Sequence, residues 1–254
     1  MDHISFKYVE KPGFKVAYLG SLESQKALLF IRRSNKQKNS APLQELLNKL
    51  VLDGYLLLWP ESRDQSTSQF LHAKSQKILL WLDELLGQHD SLLKTSLRRL
   101  AKGLILLRYP SSWDFLLRWR MSHPIVDDVR LHRQIIQTIA KDKSVSILSH
   151  SAGGVIASCL VDEPNLQKII CFGYPFKHPD KQEEPYRTQS LYRVSKPFLI
   201  IQGRHDEYGG QGVESRYDLS PAIRLEFVDA NHEYENLSDD DWSKVVRSIE
   251  LFLR

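Results

Sequence analysis

Ser144-Val145-Ser146-Ile147-Leu148-Ser149-His150-Ser151-Ala152-Gly153-Gly154-Val155-Ile156-Ala157-Ser158-Cys159 is the stretch on which the reading of this chain turns. Its first half is rich in apolar and β-branched residues, the composition of a strand. It runs into a cluster of small residues and then into Gly154-Val155-Ile156-Ala157, which can start a buried helix. Strand, sharp turn and helix is the setting in which a serine at the turn becomes an exposed nucleophile. Ser151 occupies that turn, and Ser149, Gly153 and Gly154 let the backbone bend and pack closely around it. The N-terminus of the helix offers backbone N–H groups to a developing negative charge. The pattern departs from G-x-S-x-G at one place, because Ser149 stands where the first glycine is usual. Alone, the motif fits a small structural residue in a tight turn as well as a nucleophile.

Working outward, strand and helix patterns alternate along most of the chain. Ile4 to Val9 and Phe14 to Leu19 flank Glu10-Lys11-Pro12-Gly13, a hairpin signal, although Pro-Gly equally fits a plain loop. Ala27 to Ile31 is a continuous apolar run suited to a strand buried on both faces. A helix is predicted from about Pro42 to Leu50, then a strand from Tyr55 to Trp59. A helix from about Val126 to Ala140 feeds the strand before Ser151. Further strands are predicted at Lys168 to Phe172, Pro197 to Gln202 and Ala222 to Val228, and a closing amphipathic helix from Trp242 to Leu253. This alternation predicts an α/β fold with a mostly parallel sheet flanked by helices.

Residues 62–124 interrupt it. Apolar residues at helical spacing (Leu71, Ile78, Leu82 and Leu85, then Leu93, Leu97, Leu100 and Leu104) predict a helical insertion, although 104–107 also fits an extra strand. The chain is thus divided into 1–61, the N-terminal part of the core; 62–124, the insertion; and 125–254, the C-terminal part. Of 35 Lys and Arg and 31 Asp and Glu, ten and five fall in the insertion, so the net charge of +4 arises there. Trp59 stands at its entrance, and Trp81, Trp113 and Trp119 lie within it. Three roles fit: a lid over an apolar pocket, an enlargement of the core, or an Arg-Trp patch for nucleic acid or anionic membrane. The small net charge argues against the last.

The 254 residues with 42% apolar content suffice for one large domain or a core with an insertion. No run of some 18 apolar residues predicts a membrane span. Met1 to Lys7 lacks an apolar signal core, which argues against export. Cys159 and Cys171 lie in apolar segments and read as packing residues in a reducing compartment, so the expected location is the cytoplasm. No cluster has metal spacing and no Gly-rich phosphate loop appears, so neither metal nor cofactor is expected.

A nucleophilic serine needs a base, and the base a carboxylate to orient it. Asp206 follows the strand ending at Gln202, and His232 follows the strand ending at Val228; both fall at the carboxyl edge of a parallel sheet. Glu207 and Asp229 compete with Asp206 for the acid. His205 and His150 read as a loop residue and as a packing or hydrogen-bonding residue.

With Ser149-His150-Ser151-Ala152-Gly153, Gly203-Arg204-His205-Asp206 and Ala230-Asn231-His232 in that order, the chain resembles the α/β-hydrolase fold superfamily. Phe172-Gly173-Tyr174-Pro175-Phe176-Lys177-His178-Pro179 is similar to a dienelactone-hydrolase-like branch of it. The resemblance implies Ser151 as nucleophile, His232 as general base and Asp206 as orienting acid. The N–H of Ala152, with one from Arg33 or Ser34, would form the oxyanion hole. Many members begin the latter loop with His-Gly, whereas this chain reads Arg32-Arg33-Ser34-Asn35-Lys36. Two functions follow as expectations. One is a serine hydrolase acting on a small-molecule carboxylic ester or thioester; the other is a catalytically impaired binding or scaffold protein on the same fold. Oligomeric state is not legible.

Overall fold

Four of the apolar runs, Lys26–Ile31, Ser144–His150, Leu166–Phe172 and Phe198–Gly203, become neighbouring strands whose carboxyl halves are buried on both faces. The structure, a computed structural model, describes residues 6–11, 14–31, 41–62, 124–235 and 237–254, and besides these 96, 100, 103 and 104. In chain order the elements are β1 (Lys7–Lys11), β2 (Phe14–Leu19), β3 (Lys26–Ile31), α1 (Ala41–Leu52), β4 (Tyr55–Ser62) and α2 (Pro124–Ile139). There follow β5 (Ser144–His150), α3 (Ala152–Ser158), β6 (Leu166–Phe172), β7 (Phe198–Gly203), α4 (Val213–Arg216), β8 (Ile223–Val228) and α5 (Asp239–Leu253). The strands form one sheet of order β1-β2-β4-β3-β5-β6-β7-β8. From β4 to β8 every pairing is parallel.

The order reverses at β3, which has β4 on one side and β5 on the other. Such a switch point opens a crevice at the carboxyl ends of the strands, where parallel sheets place their sites. The register brings those ends level. Ile31 pairs with Ser149, His150 with Phe172, Phe172 with Ile201, and Gly203 with Val228. The residues that leave β5, β6, β7 and β8 therefore emerge side by side.

On one face, alternate strand residues (Leu28, Phe30, Leu148, Ile170, Leu199, Ile201) pack with Leu46 and Leu50 of α1 and Val245 and Ile249 of α5. Each fully buried Leu or Ile contributes about 1.5–3 kcal/mol. Helix α5 begins at Asp239, three residues ahead of the predicted start. Ser238 caps it by accepting the Asp241 N–H at 3.2 Å, and Asp239, Asp240 and Asp241 complement the dipole of the first turn. Helix α2 likewise starts early, at Pro124, whose fixed φ suits a first helical position.

Contacts divide the chain into two compact units. Residues 1–10, 16–60 and 128–254 form one, and 11–15 and 61–127 the other. Of the insertion, residues 62, 96, 100, 103, 104 and 124 are described; 96, 100, 103 and 104 are helical, so Leu104 does not open a strand. The lid reading and most of the predicted insertion helices fall outside the described residues.

One contact fixes how α3 lies on the sheet. A Cβ at Gly154 would fall 2.4 Å from Cys171 Sγ and 2.8 Å from Tyr174 Cδ2. Gly154→Ala is therefore expected to cost about 2–3 kcal/mol through overpacking, read as a lowered urea midpoint. Cys171→Ala in the same chain should recover part of the loss by vacating the space the methyl needs.

Candidate active site

Ser151 is the single residue between β5 and α3, and the turn forces it to φ 51°, ψ −126°, a conformation L-residues rarely adopt. Two backbone bonds hold it there. Its N–H donates to the Phe172 carbonyl at 2.9 Å, and its carbonyl accepts from Gly154 N–H at 2.8 Å. The serine at position 149 is accommodated because its buried hydroxyl donates to the Ile170 carbonyl at 2.9 Å, tying β5 to β6. Helix α3 starts at Ala152, directly after Ser151. As a first helical residue, Ala152 has an N–H with no carbonyl four residues back to receive it.

His232 stands between Ser151 and Asp206. Its Nε2 lies 2.9 Å from Ser151 Oγ, and its Nδ1 lies 3.0 and 2.9 Å from the two oxygens of Asp206. The carboxylate only accepts, so Nδ1–H donates to it and Nε2 presents its lone pair to the Ser151 hydroxyl. The Asp206 side chain is wholly buried and that of His232 is 5% exposed. Water therefore does not compete for the ion-dipole contact between them.

The competing candidates lie elsewhere. Asp229 meets His205 Nε2 at 2.8 Å, and both side chains are largely in solvent. Glu207 is exposed. His150 is buried, with Nε2 3.2 Å from the His232 carbonyl and its ring 5.2 Å from the His232 ring, so it braces the loop that carries His232. Arg33 and Ser34 lie outside the described residues.

Sequence reasoning missed three residues at this site. Gln202, fully buried, donates from Nε2 to Asp206 Oδ2 at 2.8 Å. Tyr208 donates its backbone N–H to Asp206 Oδ1 at 2.8 Å, and its ring lies 4.4 Å from that of His232. Tyr234, at φ 58°, donates its hydroxyl to the Ile201 carbonyl at 2.6 Å and so pins the chain just past His232 to β7. Gln202 alone left a readable trace, as the one polar side chain in Phe198–Gly203.

Gly173, at φ 55°, lies so close to His232 and Asp206 that a Cβ would fall 3.1 Å from Nδ1 and 3.2 Å from Oδ2. Between β6 and β7 the chain forms two single 3-10 turns, Pro185–Arg187 and Leu191–Arg193.

Among the described residues, His150, His232 and Glu233 bring ligand-capable atoms within 4.8 Å of one another. Both His232 nitrogens face Asp206 and Ser151, so a metal there would have to displace one of those contacts.

Cys171 lies beneath the turn, and burial pushes its thiol from an ordinary 9.0 up to about 12. It is expected to resist iodoacetamide at neutral pH in the native state and to react once urea exposes it, as mass spectrometry would show. The unfolded thiol ionises first. The unfolded state therefore holds fewer protons between pH 9.0 and about 12, and this group lowers stability as pH rises through that window.

The sheet of eight strands among the described residues, mostly parallel and flanked by helices, with a serine on a strained strand-to-helix turn, is the α/β-hydrolase architecture. Residues 122–250 match the family model of an alpha/beta hydrolase domain, and the chain belongs to that family. No curated protein matches it.

Solved structures with the same fold include an alpha-beta serine hydrolase homologue from Coxiella burnetii (11% identity, TM-score 0.55, covering 98% of this chain and 97% of that one). An esterase from Pyrococcus furiosus is similar at 13% identity and TM-score 0.56, over 99% of this chain and 94% of that one. So is the thioesterase domain from the curacin biosynthetic pathway, at 11% identity and TM-score 0.58, over 98% of this chain and all of that one. At these identities the likeness is one of fold. Among the described residues no helix is long and apolar enough to cross a membrane.

Proposed function

We propose that this chain is a cofactor-independent serine hydrolase that cleaves a small-molecule carboxylic ester or thioester through an acyl-enzyme. The observation that carries the reading is that one imidazole, His232, is within hydrogen-bond reach of both the Ser151 hydroxyl and the Asp206 carboxylate. That arrangement supports Ser151 as nucleophile, His232 as base and Asp206 as orienting acid.

In the first half-reaction Ser151 Oγ attacks the acyl carbon while His232 Nε2 takes the hydroxyl proton. Asp206 holds Nδ1–H and stabilises the imidazolium that forms. The oxyanion is met by the N–H of Ala152 and by a backbone N–H of Arg33 or Ser34. Ile31, the last residue of β3, pairs with Ser149, two residues before the nucleophile. Collapse of the tetrahedral adduct expels the alkoxide or thiolate, which receives the proton from Nε2. A water then repeats the sequence on the acyl-enzyme, with His232 again as base, and releases the acid. The esterase and thioesterase among the structural neighbours accord with an acyl-transfer chemistry.

The test is covalent labelling with a fluorophosphonate, comparing the parent chain with Ser151→Ala, alongside turnover of short aryl esters and thioesters. The parent should label on Ser151 and the variant should not. A parent chain that neither labels nor turns over substrate sinks this reading and leaves the impaired binding protein in its place.

A further inference from the structure

Gln202 is the last side chain of β7 before Gly203, and it is fully buried. An amide there must find partners for one acceptor and two donors, or carry a desolvation cost of about 1–3 kcal/mol. It finds all of them. Oε1 accepts the Tyr174 N–H at 2.8 Å, while Nε2 donates to Asp206 Oδ2 at 2.8 Å and to the Gly209 carbonyl at 2.6 Å. Nε2 also lies 3.3 Å from the Tyr174 carbonyl, so turning the amide over would set oxygen against three acceptors and nitrogen against a donor, and its orientation is fixed.

The consequence lies in the carboxylate. His232 Nδ1 is nearly equidistant from the two Asp206 oxygens, so by itself it leaves the carboxylate free to rotate. Each oxygen has one further donor: Gln202 Nε2 on Oδ2 and the Tyr208 N–H on Oδ1. One is a backbone group and the other is anchored at its far end to Tyr174. That anchor lies two residues past Phe172, whose carbonyl accepts the N–H of Ser151. We infer that Gln202 is a positioning residue of the relay: its amide locks the plane of the Asp206 carboxylate, and through it the ring of His232, relative to Ser151. The inference rests on the serine-hydrolase reading above, although the geometry it invokes can be observed without turnover.

Two variants of the full chain test it, read by steady-state kinetics on a short aryl ester and by the low-field proton resonance of His232 Nδ1–H, assigned by its absence in His232→Gln. Gln202→Met keeps the length of the side chain and removes the donor. It should lower kcat about 10- to 100-fold with KM within about twofold of the parent, and displace the Nδ1–H resonance. Gln202→Glu keeps an acceptor for Tyr174 but sets a second carboxyl against Asp206. Two such groups hold one proton between them. This variant should therefore work near neutrality and lose activity as pH rises and the shared proton leaves, an alkaline limb absent from the parent.

The titratable groups around that pair are His232, Tyr208, and, from the β6 side, Cys171 and Tyr174. Burial pushes both of the last two up. If Gln202→Met does not fold, Gln202→Glu carries the kinetic test alone. Parent-like kcat and an unmoved resonance, or a rise in KM alone, would overturn the proposal. A parent that fails to label with fluorophosphonate counts against the function. The resonance then still decides whether Gln202 holds the Asp206–His232 pair.

Discussion

Ser151→Ala, which removes the proposed nucleophile, is expected to lower ester turnover by about 10⁵- to 10⁶-fold, the cost of that loss in a cooperating triad. The fall should appear in kcat, because Ser151 Oγ makes its decisive bond in the transition state, whereas substrate binding draws on other surfaces. Ser151→Gly should be equally inert. The two variants should differ in stability, since φ 51°, ψ −126° is the mirror image of an ordinary extended conformation, a region that glycine adopts freely and alanine does not. Strain of this kind costs about 1–3 kcal/mol, part of which glycine returns through its larger unfolded-state entropy. The glycine variant should thus be about 1 kcal/mol more stable than the alanine variant, which paired thermal melts would resolve. Equal melting temperatures would mean that the strain relieved is no larger than the entropy glycine loses on folding, whatever the fate of activity.

Asp206→Asn should reduce kcat by about 10⁴-fold with little change in fold. Asparagine keeps the shape but has one oxygen where the carboxylate has two. Three donors converge on those oxygens: Gln202 Nε2, the Tyr208 N–H and His232 Nδ1–H. The first two are fixed, so the new amide nitrogen is set against one of them, or the imidazole yields. The imidazole is the group with a choice. Its stable response is to move the proton from Nδ1 to Nε2, which turns the base into a donor facing Ser151 Oγ. Steady-state kinetics with ¹⁵N spectra of the histidine tautomers would check both parts. Full activity in Asp206→Asn would assign the orienting acid elsewhere.

Much of this arrangement was legible because it is written locally. Val145, Ile147 and Leu148 mark a buried strand, and the small residues around Ser151 mark the turn. Asp206 and His232 each follow a strand at its carboxyl end, so their convergence follows from parallel register. Other features are properties of the assembled sheet. Ser149 was readable as a missing glycine, but its hydroxyl has a partner only once β6 lies alongside. Gln202 could be seen as a polar residue in an apolar strand. Its three partners come from Tyr174, Asp206 and Gly209, which no spacing rule links. The left-handed backbone of Tyr234 has no glycine or asparagine to announce it, because the hydroxyl bond to Ile201 and burial of the ring hold it in place. The early start of α5 was readable after all in Ser238-Asp239-Asp240-Asp241, a cap followed by an acidic first turn.

His150, Ser151, Gly154, Cys171, Gly173, Gln202, Asp206, Tyr208, His232 and Tyr234 all fall within one uninterrupted reach of chain, and the insertion lies wholly ahead of it. The hydrogen-bonded relay and its supports can therefore pass between lineages as a single genetic block. Residues 62–124 contribute no member of that relay and can change in length or composition without a compensating change inside it, whereas β3, which pairs with β5 and shares a core with α5, cannot. Natural variation should accordingly concentrate in residues 62–124, and a larger residue at 154 should appear only with a smaller one at 171.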